Sequence, residues 1–237
     1  MRTLILFAIY VILVLLLVPV LLLCILFRSV SPLFAIGRWA LRVGQRILGL
    51  RLCVSGLKEI DQDRALVFMP NHLSFLDGPL MFLIIPRAVR VILKKEIFRI
   101  PIIGRAMRFV EFVPVDRKGI KGGKRSIDRA THLIQKKGFS FLIFPEGTRS
   151  RDGRLQPFKR GGFFLAVNSH TDIVPISIVG TFELMPKGQF FVRRGTIKVI
   201  FFPPVSVEGK GVQDLPDLME EVRTAIVSGL ITETDNP

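Results

Sequence analysis

The polar stretch "MPNHLSFLDG", residues 69–78, directly follows the apolar run "ALVF" and places His72 five residues before Asp77. Within a continuous helix, residues five apart are rotated by about 140° and do not face each other. If His72 lies in the loop before a helix, a carboxylate in the first turn can reach its imidazole. That contact fixes the ring tautomer and leaves the other nitrogen free to accept a proton. The spacing is therefore compatible with a general base.

The same stretch also has a simpler interpretation. "SFLD" has the form of a capping box, in which Ser74 caps a helix and Asp77 occupies its third position. Asp77 then only satisfies a backbone amide, and His72 only closes a strand. Spacing alone does not decide between the two. A covalent nucleophile is not favoured, because capping explains Ser74 and no basic partner is expected near Cys53.

A second polar loop, "PEGTRSRDG", follows the apolar run "FSFLIF" at residues 139–144. Ligands of α/β sheets bind where strands end, so this loop is a candidate binding site. Arg149 offers a planar fork suited to a phosphate, Gly147 permits close backbone approach, and Thr148 supplies a hydroxyl. The alternative is a solvated loop in which Glu146 and Arg149 form a surface ion pair.

Apolar, β-branched runs alternate with helix-like stretches after residue 56. The strand candidates are 65–69, 89–93, 110–115, 139–144, 172–179 and 196–201, and the helix candidates are 75–85, 122–137, 161–169 and 216–230. This alternation predicts an α/β domain with a central, mostly β-sheet core flanked by helices, in which later strands could pair antiparallel. Gly138 is placed to end a helix, and residues 190–201 suggest a hairpin that turns near Arg194 and Gly195.

The N-terminal segment predicts attachment to a membrane. Residues 4–27 carry no charge, and as a helix they reach about 36 Å, enough for a hydrocarbon core of about 30 Å. A cleaved signal peptide fits less well, because large residues follow the run. Only Arg2 precedes it and several arginines follow, which predicts a single-pass or deeply anchored protein with its main domain on the cytoplasmic face.

Residues 32–50 predict an amphipathic helix with arginines at 38, 42 and 46. Such a helix suits the bilayer interface, and packing on the domain itself is the alternative. The chain is thus expected to comprise a membrane module, 1–55, and a second domain, 56–237. The two cysteines suggest no disulfide framework.

The formal charge of +15 favours an anionic partner: nucleic acid, an anionic membrane or a phosphorylated substrate. No nucleic-acid-binding motif is present, and a membrane anchor argues against that partner. His and Cys residues lie too far apart in the sequence to suggest a metal site. The sequence leaves the oligomeric state open.

Four blocks in order resemble the glycerolipid acyltransferases, specifically the bacterial 1-acylglycerol-3-phosphate acyltransferases. They are "NHLSFLD" at 71–77, "FVPVDR" at 112–117, "FPEGTRS" at 144–150 and "VPI" at 174–176. The first and third are specific together, and the second departs from the pattern at Pro114. The resemblance covers residues 56–205.

This resemblance implies that His72 is the general base and Asp77 orients it. The free hydroxyl of 1-acylglycerol 3-phosphate then attacks an acyl thioester directly, which makes phosphatidic acid for phospholipid synthesis. The implied donor is acyl-CoA or acyl carrier protein, and no cofactor is implied. The residues implied in substrate binding are Lys94, Arg117, Glu146, Gly147, Thr148 and Arg149.

Three alternatives remain open at this level. The acceptor could be glycerol 3-phosphate, another lysophospholipid or an aminolipid. The chain could instead be a non-catalytic, basic lipid-binding protein of the membrane. A thioesterase could also use the same dyad, with water as the acceptor.

Overall fold

The computed structural model describes residues 2–61, 63–116 and 120–231, which contain a seven-stranded sheet. The strands are β1 Leu50–Ser55, β2 Val67–Pro70, β3 Arg90–Lys94, β4 Val113–Val115, β5 Phe141–Leu142, β6 Ile173–Val179 and β7 Gly195–Phe201. Their spatial order is β1-β7-β6-β2-β5-β3-β4. The five strands from β6 to β4 run parallel, whereas β7 pairs antiparallel with β6 and parallel with β1.

Helices cover both faces of this sheet. They are α1 Arg2–Leu26, α2 Ser31–Leu48, α3 Asp77–Ile84, α4 Ile103–Phe109, α5 Ile120–Lys137, α6 Gly161–Ser169, α7 Thr181–Leu184 and α8 Leu215–Ile231, with 3-10 turns at Leu57–Glu59, Lys95–Arg99 and Val212–Asp214. Successive residues of a strand face opposite sides. Accordingly, Phe68 packs in the core beside α2 and α3, and Val67 and Met69 pack in the core beside α5, α6 and α8.

The α/β prediction is confirmed, with differences in detail. The six expected strands are present, but β4 and β5 are shorter than expected, and β1, α4 and α7 were not predicted. Gly138 ends α5 in a left-handed conformation, and its N–H donates to the Ile134 carbonyl. The expected hairpin at 190–201 is wrong, because residues 190–194 form no strand and β7 pairs with β1 and β6 instead.

α1 and α2 form a hairpin that packs on the rest of the chain. The Tyr10 hydroxyl donates to the Ala40 carbonyl at 3.0 Å, and Gly44 leaves room for that ring. Phe34 of α2 lies 5.0 Å from the guanidinium of Arg90 in the sheet. α2 thus packs on the domain, and β1, which falls within the interval expected for the membrane module, pairs with β7 along its length.

The start of α1 also lies on this domain. Thr3 Oγ1 accepts a hydrogen bond from the Val192 backbone at 3.1 Å, and Phe7 contacts Phe190 edge to face. These contacts place the start of α1 against the loop before β7, and the expected single-pass arrangement stays a prediction. Among the described residues, no single helix has the length and hydropathy of a membrane span. The two parts of α1, Arg2–Leu13 and Val18–Leu26, meet these criteria only when they are taken together, as a pair bent by 44°.

Candidate active site

The predicted site residues that the structure describes converge at one edge of the sheet. β6, β2, β5 and β3 are neighbours and run parallel, so their carboxyl ends lie together. His72 follows β2, Glu146 follows β5, and Lys94 ends β3. This is the edge at which open α/β sheets bind ligands.

His72 and Asp77 are in contact, as their spacing predicted. His72 Nδ1 lies 2.9 Å from Asp77 Oδ2. The Asp77 side chain is fully buried, whereas the His72 side chain is 19% exposed. Asp77 Oδ2 also accepts the backbone N–H groups of Leu73 and Ser74, each at 2.7 Å. Three donors thus fix the carboxylate, and the imidazole retains Nε2 for a further partner.

The capping-box interpretation is correct for the backbone contact of Asp77 and wrong for the capping role of Ser74. Asp77 accepts the Ser74 N–H, but α3 begins at Asp77 rather than at Ser74. The Ser74 hydroxyl instead donates to the Met185 carbonyl at 2.7 Å and accepts from the Leu76 N–H at 3.2 Å. One carboxylate oxygen therefore serves both the loop backbone and the imidazole, so the two interpretations are not exclusive.

The third block holds His72 from the neighbouring strand. The Phe144 ring stacks on the imidazole, with centroids 3.9 Å apart and planes inclined by 22°. Glu146 Oε1 accepts the His72 N–H at 2.5 Å, and the Ser150 N–H donates to the His72 carbonyl at 2.9 Å. The ring and backbone of His72 are thus held by residues more than 70 positions away.

Glu146 is buried and joins two loops. Its Oε2 accepts the Gln156 N–H at 2.7 Å, while Oε1 accepts that of His72. Burial raises the pKa of Glu146 to about 7, against the opposing effect of these two N–H donors. Both carboxylate oxygens already have backbone partners, so the geometry gives Glu146 a bracing role beside the substrate-binding role that the resemblance implies.

Asn71 and the fourth block position the loop from the other side. Asn71 Nδ2 donates to the Ile178 carbonyl at 2.9 Å, and its Oδ1 accepts the Ile178 N–H at 2.7 Å. The buried amide thus continues the β2–β6 pairing past Pro70. Residues 174–176 lie within β6 and so help to place His72.

A cationic cluster lies beside the dyad and includes one residue that the sequence did not single out. Lys187 Nζ donates to the Arg149 carbonyl at 2.9 Å and lies 3.3 Å from Thr148 Oγ1. Loss of hydration lowers the pKa of Lys187, and the charges of Arg151, Arg149 and Lys94 lower it further. The sequence signal that could have identified Lys187 was its position in the segment after β6, because that segment leaves the same edge of the sheet as the His72 and Glu146 loops.

Gly147 and Arg117 are the remaining residues that the resemblance implies in substrate binding. Gly147 has φ +68°, and a Cβ there would press against the Lys159 side chain, which places Lys159 against the third block. Arg117 lies outside the described residues.

An apolar cavity of about 200 Å³ opens next to the loop that carries His72, residues 71–76, called the catalytic loop below after the proposed role of His72. Its lining includes Phe75 and Leu76 from that loop, Leu6 and Tyr10 from α1, and Leu80 from α3. The guanidinium of Arg149 lies 5.7 Å from the Phe75 ring. Phe75 therefore separates a cationic surface from an apolar one. Among the described residues, no group of three His, Cys, Asp or Glu side chains could hold a metal ion.

Comparison with known proteins identifies the family of this chain. The sequence profile of the Acyltransferase family matches residues 51–179, more than half of the chain. The chain therefore belongs to the acyltransferase family. The match begins in β1 and ends with β6, and it includes the dyad and the third block.

Individual relatives carry more specific names. The chain is 33% identical over 184 residues to the 1-acyl-sn-glycerol-3-phosphate acyltransferase of Limnanthes douglasii, covering 78% of this chain and 65% of that protein. It is 38% identical over 154 residues to the chloroplastic 1-acyl-sn-glycerol-3-phosphate acyltransferase BAT2 of Brassica napus. That match covers 64% of this chain and 44% of the Brassica protein. The chain thus spans less than two thirds of either relative.

A solved structure shows the same fold. The crystal structure of the 1-acyl-sn-glycerophosphate acyltransferase PlsC from Thermotoga maritima superposes with a TM-score of 0.84. The superposition covers 100% of this chain and 96% of that one, at 24% identity.

Proposed function

We propose that this protein transfers a fatty acyl chain from a thioester to the free hydroxyl of 1-acylglycerol 3-phosphate, making phosphatidic acid for phospholipid synthesis. The observation that carries the proposal is the His72–Asp77 contact beside the cationic cluster of Lys187, Arg149 and Lys94. A base alone would serve many hydrolases. A base next to cations suits an alcohol that carries a phosphate, and the names of the relatives point to the same reaction.

The dyad supplies the proton transfer. The hydrogen bond from Nδ1 to Asp77 keeps a proton on Nδ1, so Nε2 is the basic nitrogen. Nε2 takes the proton of the acceptor hydroxyl as its oxygen bonds to the thioester carbonyl carbon. Asp77 stabilises the imidazolium, which then protonates the departing thiolate. The enzyme forms no covalent intermediate in this scheme.

The cationic cluster and the cavity bind the two ends of the lipids. Lys187, Lys94 and Arg149 take the acceptor phosphate, with Arg117 added by resemblance, while Gly147 and Thr148 border that site. The apolar cavity takes an acyl chain, because Phe75 places it next to both dyad and cluster. The donor is acyl-CoA or acyl carrier protein, and both are anionic partners suited to a strongly basic chain.

The α1–α2 hairpin anchors the protein deeply at the membrane, with its main domain on the cytoplasmic face. Large apolar side chains are exposed at the far end of α1 and directly after it, among them Leu22, Leu23, Leu26 and Phe27. Such a surface is stable in lipid and costly in water. The substrates lie in the same bilayer.

The test measures thiol release from acyl-CoA by the full chain in lipid vesicles. We expect release to require 1-acylglycerol 3-phosphate and to be lost in His72→Ala, while His132→Ala, at an exposed histidine of α5, retains it. Release without any acceptor would instead indicate a thioesterase, and release with glycerol 3-phosphate alone would indicate a different acceptor. Lipid binding without thiol release would make the chain a binding protein and overturn the proposal.

A further inference from the structure

The loop between α7 and β7 exposes two adjacent aromatic rings. Phe190 and Phe191 are 49% and 54% exposed. Phe191 meets Phe190 edge to face at 5.7 Å, and Phe190 meets Phe7 of α1 in the same way at 6.0 Å. Three rings in a row at the surface are a costly arrangement in water and suit an apolar partner.

The backbone holds these rings in place. The Arg193 N–H donates to the Leu184 carbonyl at 2.9 Å, and the Val192 N–H donates to Thr3 Oγ1 at 3.1 Å. The loop is thereby fixed both to α7 and to the start of α1. Leu4, Ile5 and Phe7 of α1 are also exposed, so the rings continue the apolar surface of the hairpin.

The surroundings of the loop are basic. Arg193 and Arg194 follow the rings directly, and the chain contains no Asp or Glu between Glu183 and Glu208. Arg194 lines a shallow pocket together with Arg2 and Arg51. Aromatic rings beside arginines are the composition that favours the interface of an anionic bilayer.

The loop also leads to the active site. Met185 lies at the start of this loop, and its carbonyl accepts a hydrogen bond from the Ser74 hydroxyl of the catalytic loop at 2.7 Å. Lys187, three residues before Phe190, contacts Thr148 and Arg149 of the phosphate cluster. The loop that carries Phe190 and Phe191 is therefore also close to the cationic cluster of Lys187 and Arg149.

We propose that residues 189–194 form a second bilayer contact beside the α1–α2 hairpin, in which Phe190 and Phe191 enter the interface and Arg193 and Arg194 bind anionic lipid headgroups. The contact rests on the proposed function and deepens it: the acceptor phosphate reaches Lys187 without leaving the headgroup layer. The partner is a lipid surface rather than a single bound lipid.

A single fluorescent residue tests the contact directly. Trp39 is the sole tryptophan of the sequence, so Trp39→Phe combined with Phe191→Trp places the only indole on the loop. On addition of vesicles of phosphatidylcholine and phosphatidylglycerol, we expect a blue-shifted emission that brominated phosphatidylcholine quenches. An unchanged emission from protein that sediments with the vesicles would overturn the contact.

Substitution provides the second measurement. Phe191→Ser is expected to weaken partition to these vesicles about fivefold, since roughly half of a phenylalanine surface is withdrawn from lipid. Val212→Ser, at an exposed apolar residue of a 3-10 turn, is the matched control and should leave partition unchanged. Equal partition of Phe191→Ser and wild type would contradict the proposal.

A soluble assay separates this contact from the chemistry. With water-soluble butyryl-CoA and 1-hexanoylglycerol 3-phosphate, Phe191→Ser should match the wild-type rate, and on vesicle-borne substrate it should be slower. Equal rates of the two proteins on vesicle substrate would count against the contact. Absence of turnover by the wild type on the soluble pair would instead count against the proposed function.

Discussion

At the scale of single residues, His72 is held by side chains that come from a different part of the sequence. Asp77 was predictable, because it lies five residues away and its contact depends only on a local turn. Phe144 and Glu146 were not predictable as partners of His72, because their contacts require β2 and β5 to pair in one particular register. Local spacing identifies the His72–Asp77 pair, and only the sheet identifies the other residues that position His72.

The stacked ring of Phe144 leads to the first prediction. Phe144→Leu retains an apolar side chain but removes the face that fixes the imidazole plane. Small displacements of a catalytic group cost up to about a hundredfold in rate, so we expect kcat to fall about tenfold with little change in KM. Steady-state kinetics measures both. Phe164→Leu, on α6 in the other core, is the control, and an unaltered kcat in Phe144→Leu would show that the stack has no positioning role.

Glu146 leads to a prediction on pH and stability. Its pKa of about 7 lies above the ordinary 4.5, so between these values the folded chain binds more protons than the unfolded chain. Stability contributed by this group is therefore present below about pH 4.5 and is lost as pH rises towards 7, by up to about 3 kcal/mol. Glu146→Gln cannot ionise and should show a smaller loss of unfolding free energy between pH 5 and 8.

Urea denaturation across this pH range measures the difference. Glu208→Gln, at an exposed carboxylate, serves as the control and should follow the wild-type pH dependence. Parallel pH profiles of Glu146→Gln and wild type would contradict the assignment of the raised pKa.

Lys187 gives the third prediction. Its ammonium group belongs to the cationic cluster, so Lys187→Ala should mainly raise the KM for 1-acylglycerol 3-phosphate, by about tenfold, and leave kcat nearly unchanged. This pattern follows when a contact is equally strong in the ground state and the transition state. Acceptor titration at saturating donor measures it. The exposed Lys58→Ala is the control, and an equal acceptor KM in both variants would remove Lys187 from the phosphate site.

At the scale of elements, burial explains which strands the sequence could predict. β2 and β6 are buried almost throughout, and their continuous apolar runs identified them. β1 was missed because five of its six residues are exposed or half-buried and it follows an amphipathic helix. The predicted hairpin does not form, because residues 190–194 contact α1 instead of pairing with β7. These contacts join residues far apart in the sequence, and the local alternation of residue types does not encode them.

Asn71 gives a prediction at this scale, because its amide replaces a backbone pair between β2 and β6. Asn71→Ala leaves the buried N–H and carbonyl of Ile178 without these partners. Each orphaned group costs about 1–3 kcal/mol, so we expect the free energy of unfolding to fall by about 2–4 kcal/mol. Denaturant titration measures the loss. Asn168→Ala, at an exposed position near the end of α6, should change little, and a similar small effect of Asn71→Ala would contradict the role.

At the scale of the whole molecule, the α1–α2 hairpin changes how the charge pattern is understood. One crossing helix would separate Arg2 from the later arginines, whereas the hairpin returns the chain to the same domain. Arg2, Arg51 and Arg194 therefore lie together, in the lining of one shallow pocket. The positive charge is then available to one lipid surface.

The salt dependence of membrane binding tests this arrangement. Each arginine or lysine near an anionic leaflet contributes about 1 kcal/mol, and this attraction is screened as the Debye length falls from about 10 Å at 0.1 M salt to about 3 Å at 1 M. The apolar contribution of the hairpin is not screened in this way. We therefore expect partition to anionic vesicles to exceed that to neutral ones about a hundredfold at low salt, and to converge on the neutral value at 1 M. Vesicle sedimentation at both salt concentrations measures this. Equal binding to anionic and neutral vesicles at low salt would mean that the +15 charge faces something other than lipid, because a basic surface held at an anionic bilayer cannot avoid its field.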